Sequence, residues 1–154
     1  MAQKQAREKM TPLSLDTSVL ISHLRGDGFV EETDSFLRRA VESKTQLVIP
    51  DVVYAELYAG IFLASDPKAE EGKVQGFLGI NSIEVRTSRS LKTARRAGEL
   101  YSKRPRARDG TERIPPDFLI AAQAEATSKG FVTWNKEDYE RLGLRVPVLR
   151  PDKA

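Results

Sequence analysis

Four carboxylates, Asp16, Glu56, Asp117 and Asp138, are the groups in this 154-residue chain placed to do chemistry. Asp16 closes the short apolar stretch PLSLD. Glu56 is the single charge within the apolar run 52–64, and neither Val52 nor Gly60, one turn away on either side, can neutralise it. Asp117 follows Pro115 and Pro116 at the head of an Ala-rich segment, where the positive end of a helix dipole favours its ionised form. Asp138 lies four residues beyond an apolar stretch, in TWNKEDY, next to Asn135. Each has a plainer role open to it: Asp16 and Asp117 as helix caps, Asp138 as a solvated loop acid, Glu56 as the partner of a distant Arg. With no Cys and one His, the chain has no thiolate nucleophile, no Cys/His zinc site and no pair of histidines for acid and base work. His23 sits among apolar residues and reads as a core or edge side chain rather than a base.

The elements that would position these acids alternate in type. Strands are expected at 12–16, 46–50, 82–86, 131–134 and 146–149. Helices are expected at 17–25, 29–44, 51–64, 88–102 and 117–129, with a helical turn at 136–142. The apolar helix 51–64 should be mostly buried, and the polar stretch DPKAEEGK is expected to separate it from 74–78. This order predicts one domain at 12–150 behind a polar tail at 1–11. Its fold class is α/β: a three-layer α/β/α sandwich around a mostly parallel sheet of four to five strands. In such a sheet the ends of the strands and the first turns of the following helices share one rim, which gathers the four acids. Carboxylates brought together repel, so their pKa values rise or a divalent cation joins them, and an all-oxygen site suits Mg²⁺ or Mn²⁺ rather than zinc. Metal-assisted hydrolysis of a phosphodiester needs nothing more.

Charge supports a polyanionic partner. The formal net charge is +3, but in residues 86–113 Lys and Arg outnumber acids ten to three. Arg104, Arg106, Arg108 and Arg113 precede Asp117 in sequence, where they form either a guide for a polyanion or a solvated charged loop. The charged start MAQKQAREKM and the short apolar runs predict neither signal peptide nor membrane span, and so a cytoplasmic protein.

The segments LDTSVLI around Asp16, IPDVVYAELYAG around Glu56, IPPDFLIAAQA around Asp117 and VTWNKEDYERL around Asp138 together resemble the PIN domain, in particular the VapC-type toxin ribonucleases. The resemblance implies a metal-dependent endoribonuclease in which Asp16, Glu56, Asp117 and Asp138 hold Mg²⁺ or Mn²⁺ and activate water. Thr17 and Thr133 fall at hydroxyl positions facing the site, and either Asn135 or Asp138 supplies its fourth member. It also implies a homodimer neutralised by a VapB-type antitoxin that inserts a basic side chain into the acidic pocket. Tyr139 stands where the family usually has Phe, a departure expected not to touch the acidic set. Two other readings compete. A PIN-like module that binds RNA or a partner without cleaving would have lost one or more of the acids. A phosphotransfer site with Asp16 as nucleophile would want an acid at position 18, where this chain has Ser18.

Overall fold

The computed structural model describes residues 12–104 and 113–154. Five strands form a single sheet: β1 (Leu13–Leu15), β2 (Leu47–Ile49), β3 (Glu84–Val85), β4 (Gly130–Val132) and β5 (Val148–Leu149). Their order is β3-β2-β1-β4-β5, and every pairing is parallel. Leu13 pairs with Leu47 on one side and Gly130 on the other, which makes β1 central. The chain moves outward from β1 through β2 to β3, then returns to the far side of β1 as β4. The switch point of the sheet therefore lies between the ends of β1 and β4, the place where open α/β sheets offer a crevice.

Seven helices join these strands among the described residues: α1 (Thr17–Arg25), α2 (Val30–Glu42), α3 (Asp51–Leu63), α4 (Pro67–Ile80), α5 (Leu91–Ser102), α6 (Pro116–Thr127) and α7 (Lys136–Glu140). Helices α1 to α4 pack among themselves and α5 packs on α6, and the right-handed crossovers that parallel strands require put the two groups on opposite faces, which gives the three layers. Gly26, at φ 66°, ends α1 in the left-handed conformation that a β-carbon disfavours. Pro116 opens α6, where its missing N–H is no loss. Ala121, Ala122 and Ala124 are buried on α6, and their small side chains let this helix lie close against β1 and β4. Leu15, Val48, Ile49, Phe131 and Val132 are fully buried in the sheet. Each such aliphatic side chain contributes about 1.5–3 kcal/mol of transfer free energy.

Two local expectations are corrected. DPKAEEGK is not a linker but the first turns of α4: Asp66 caps it by accepting a hydrogen bond from the Ala69 N–H at 3.1 Å, and Pro67 begins it. Helix α3, apolar nearly all round, is not buried all round. Only Val53, Leu57 and Ile61 are buried, Glu56 is open to solvent, and Phe62 and Leu63 are 71% and 86% exposed.

Candidate active site

Asp16 follows β1, where its backbone N–H donates to the Val132 carbonyl at 2.9 Å, so the sheet itself fixes the residue at the switch point. It takes the N-cap position of α1 with extended backbone but makes no capping bond. Its buried carboxylate, 3% exposed, is held by side-chain hydroxyls instead. Oδ2 accepts from Thr133 Oγ1 at 2.8 Å and Ser18 Oγ at 2.9 Å, and Oδ1 accepts from the Tyr139 hydroxyl at 3.3 Å. Capping thus does not explain Asp16: all three donors aim at the side chain, and two arrive from more than a hundred residues away.

Glu56 comes from the second turn of α3. Thr17, the first residue of α1, donates its hydroxyl to Glu56 Oε1 at 3.0 Å. The Glu56 pKa is raised, first by loss of hydration among its neighbours and then by the charges of Asp117 and Asp16, although the Thr17 bond opposes the rise. Asp117 lies in the first turn of α6. Its pKa is also raised, by burial and then by Asp16, with Asp138 adding to the rise and a hydrogen bond from Tyr139 lowering it. Asp138, on α7, is exposed and adds its charge to the surroundings of Asp117. The four predicted acids therefore converge electrostatically on one rim.

Tyr139 is part of this set, contrary to the expectation that it would leave the acids untouched. The phenol is buried, donates to Asp16 and reaches Asp117. Its pKa is pushed well above the ordinary phenol value by burial and by these two negative charges, which keeps it a neutral proton donor. Ser18 was likewise noticed only as a non-acid, yet its hydroxyl bridges Asp16 and the Trp134 backbone N–H, which it meets at 3.1 Å. Both contacts depend on tertiary structure; the only hint in the sequence was a hydroxyl placed one turn or less from a candidate acid.

The remaining expected residues divide. Thr133 and Thr17 orient Asp16 and Glu56 as described. Asn135 donates its backbone N–H to Thr133 Oγ1 at 3.0 Å, while its exposed side chain faces an adjoining cavity. Arg104 folds back on Tyr101, with its guanidinium 4.2 Å from the ring centre and Nη2 donating to the phenol oxygen at 2.7 Å. Arg113 is exposed ahead of Pro115, and Arg106 and Arg108 lie outside the described residues. His23 is an edge residue, stacked on Phe77 at 4.4 Å and bonded through Nδ1 to Asp34 at 2.5 Å.

The donor set is entirely oxygen and strongly negative. Among the described residues no three of the acids stand close enough to cage an ion as they are, an arrangement that fits carboxylates repelling one another and tied to hydroxyls. The raised pKa values of Glu56 and Asp117, to which the Asp16 charge contributes, are an imbalance that a hard divalent cation would reverse, so the all-oxygen donor set suits Mg²⁺ or Mn²⁺.

Comparison with solved structures gives the same architecture. The chain aligns with the DNA-bound VapBC of Salmonella typhimurium at a TM-score of 0.72 and 22% identity, covering 92% of this chain and 99% of that one. It aligns with VapBC2 of Rickettsia felis, bound to a promoter DNA fragment, at 0.69 and 21%, covering 90% and 97%. It aligns with FitAcB of Neisseria gonorrhoeae at 0.62 and 20%, covering 90% and 97%. No curated protein sequence matches the chain. The sequence profile of the PIN domain, however, matches residues 13–143, a span that begins at β1 and takes in all four acids. A parallel sheet with this strand order, an acidic rim at its switch point and that match together make the chain a member of the PIN domain family.

Proposed function

We propose that the chain is a divalent-metal-dependent endoribonuclease of the VapC toxin type. One observation carries this reading: Asp16, Glu56, Asp117 and Asp138, far apart in sequence, gather near the carboxyl edge of β1 and β4, where the Asp16 charge raises the proton affinity of both Glu56 and Asp117. Asp16, Glu56, Asp117 and Asp138 would hold Mg²⁺ or Mn²⁺, which when bound lowers the pKa of water and neutralises charge on a phosphodiester. Ser18, Thr133 and Tyr139 fix the Asp16 carboxylate so that it need not reorganise. Thr17 engages one oxygen of Glu56 and leaves the other able to take a proton from an attacking water.

The VapBC and FitAB structures it resembles support a partner protein of the antitoxin kind for this chain. A basic side chain inserted among the four acids would relieve their repulsion and block substrate at once. The exposed Phe62 and Leu63 at the end of α3 support a homodimer, because an apolar helix end left in water is ordinarily covered.

The test is cleavage of a mixed, structured RNA by the purified chain and by Asp16→Asn, with Mg²⁺, with Mn²⁺ and with EDTA. Wild-type cleavage is expected to need the metal and to fall more than about a hundredfold in Asp16→Asn, since loss of even a supporting partner costs up to that much at metal sites. Metal-independent cleavage, or full activity in the variant, would sink the assignment. RNA binding by a folded protein that cuts nothing would favour a binding module.

A further inference from the structure

Next to the acidic pocket, at the ends of β4 and β5, lies a cavity of about 470 Å³ that borders the acidic set at Asp138 and otherwise lies outside the proposed chemistry. Trp134 and Arg150 form one side of it, and Asn135, Glu137, Asp138 and Glu140 line the rest. Its wall is built to stay in place. The Trp134 indole N–H donates to Thr33 Oγ1 at 2.9 Å, and the ring is stacked by Phe29 at 4.4 Å. The Arg150 guanidinium stands 5.3 Å from the Trp134 ring centre and is held as a fork by Asp152, with two hydrogen bonds of 3.1 Å. Through Ser18, the backbone of Trp134 and the carboxylate of Asp16 share one hydroxyl, so wall and acidic pocket have a fixed spacing.

We propose that this cavity seats one unpaired nucleobase of the RNA, of the kind that carries an exocyclic amino group. The inference rests on the ribonuclease reading and names which part of the substrate is read. A flat guanidinium backed by an indole is a stacking platform for single-stranded RNA. The cations present are already committed, Arg150 to Asp152 and Lys136 to Glu140 at 3.7 Å. Glu137 forms no ion pair among the described residues and has no part in the proposed metal site. A lining with such a spare carboxylate rejects a phosphate and accepts hydrogen bonds from the amino groups of adenine, cytosine or guanine. Uracil has no amino group, and its one donor on that edge, N3–H, lies between two carbonyl oxygens that a carboxylate repels, so uracil is disfavoured. The backbone stays outside, with the phosphodiester beside Asp16 and Asp117.

Trp134 is the only tryptophan of the chain, so its fluorescence reports the cavity directly. The experiment titrates single-stranded octamers of adenine, cytosine and uracil into wild type in EDTA and into Asp117→Asn in Mg²⁺, where the RNA is not cut. Adenine and cytosine octamers are expected to quench Trp134 and to bind at least about tenfold more tightly than uracil. Arg150→Met should remove about tenfold of the affinity for the first two and little of that for uracil, and Glu137→Gln should narrow the preference even if the Arg150 variant folds poorly. Equal binding of all three octamers, or no quenching under either condition, overturns the proposal. Cleavage by wild type without quenching discards this subsite and keeps the nuclease, whereas quenching with no cleavage in any metal keeps the subsite and discards the nuclease.

Discussion

Glu56 and Asp117 each bind a proton more tightly in the fold than an ordinary carboxyl does, and this has opposite consequences for stability and activity. A folded state that holds extra protons loses stability as pH rises from the ordinary carboxylate range through the raised values. Cleavage should rise across the same window, because only the ionised acids can bind a cation. Asp117→Asn is therefore expected to be inactive yet slightly more stable, by about 1–2 °C in Tm near neutral pH, a gain kept small by solvent screening. Calorimetry at about pH 4 and about pH 7 checks it: the gain should be present at the higher pH and absent at the lower. The principal acids were legible in sequence because a carboxylate at a strand end, or alone in an apolar run, has no local reason to be there. Tyr139 was not, since nothing local tells a buried phenol from a buried phenyl ring, and the Asp16 it serves is 123 residues away.

At the level of elements, α5 and α6 are joined by an ion pair with almost no access to solvent. Arg96 donates through Nε to Glu125 Oε1 at 2.8 Å and through Nη2 to Oε2 at 3.1 Å, with side chains 9% and 7% exposed. Arg96 also reaches Glu99 at 2.7 Å and the Gly143 carbonyl at 3.3 Å, and Glu125 accepts the Arg145 N–H at 2.6 Å. Burial alone would raise the Glu125 pKa, but the Arg96 and Arg145 hydrogen bonds outweigh it and hold the pKa below the usual value. The pair's stabilisation is thus present above the ordinary carboxylate pKa and lost as pH falls through the depressed one. Arg96→Met should cost about 3 kcal/mol in urea unfolding near neutral pH, because it strands a buried carboxylate, and the cost should shrink on acidification. Helix α6 must be held against α5 for Asp117 to face β1, so the pair supports the site from a distance. The sequence showed α5 and α6 by their apolar spacing but hid α4, where Gly72, Gly76 and Gly79 and a run of charges look like a loop. Val74, Phe77 and Leu78 are buried on it, and packing against α3 overrides its weak helical propensity.

For the molecule as a whole, the parallel sheet between helical layers followed from alternation of elements, whereas its strand order and the exposure of α3 did not. Apolar content marks what avoids water, not which partner removes it. Phe62→Ser with Leu63→Gln should leave thermal stability within about 0.5 kcal/mol, as surface substitutions usually do. It should also shift sedimentation of the proposed homodimer toward monomer. A variant that sediments like wild type would place the dimer surface elsewhere. A further consequence comes from the central strand, which is made first and pairs with a strand made almost last. Asp16 must wait for Thr133, 117 residues further on, and then for Tyr139. At synthesis rates of about 5–20 residues per second, the chain spends on the order of ten seconds on the ribosome after β1 is made and before β4 exists. No chain lacking β4 and Tyr139, whether still being made or left by interrupted translation, can have a formed Asp16 pocket. Synthesis of β4 is itself the step that lets the site form.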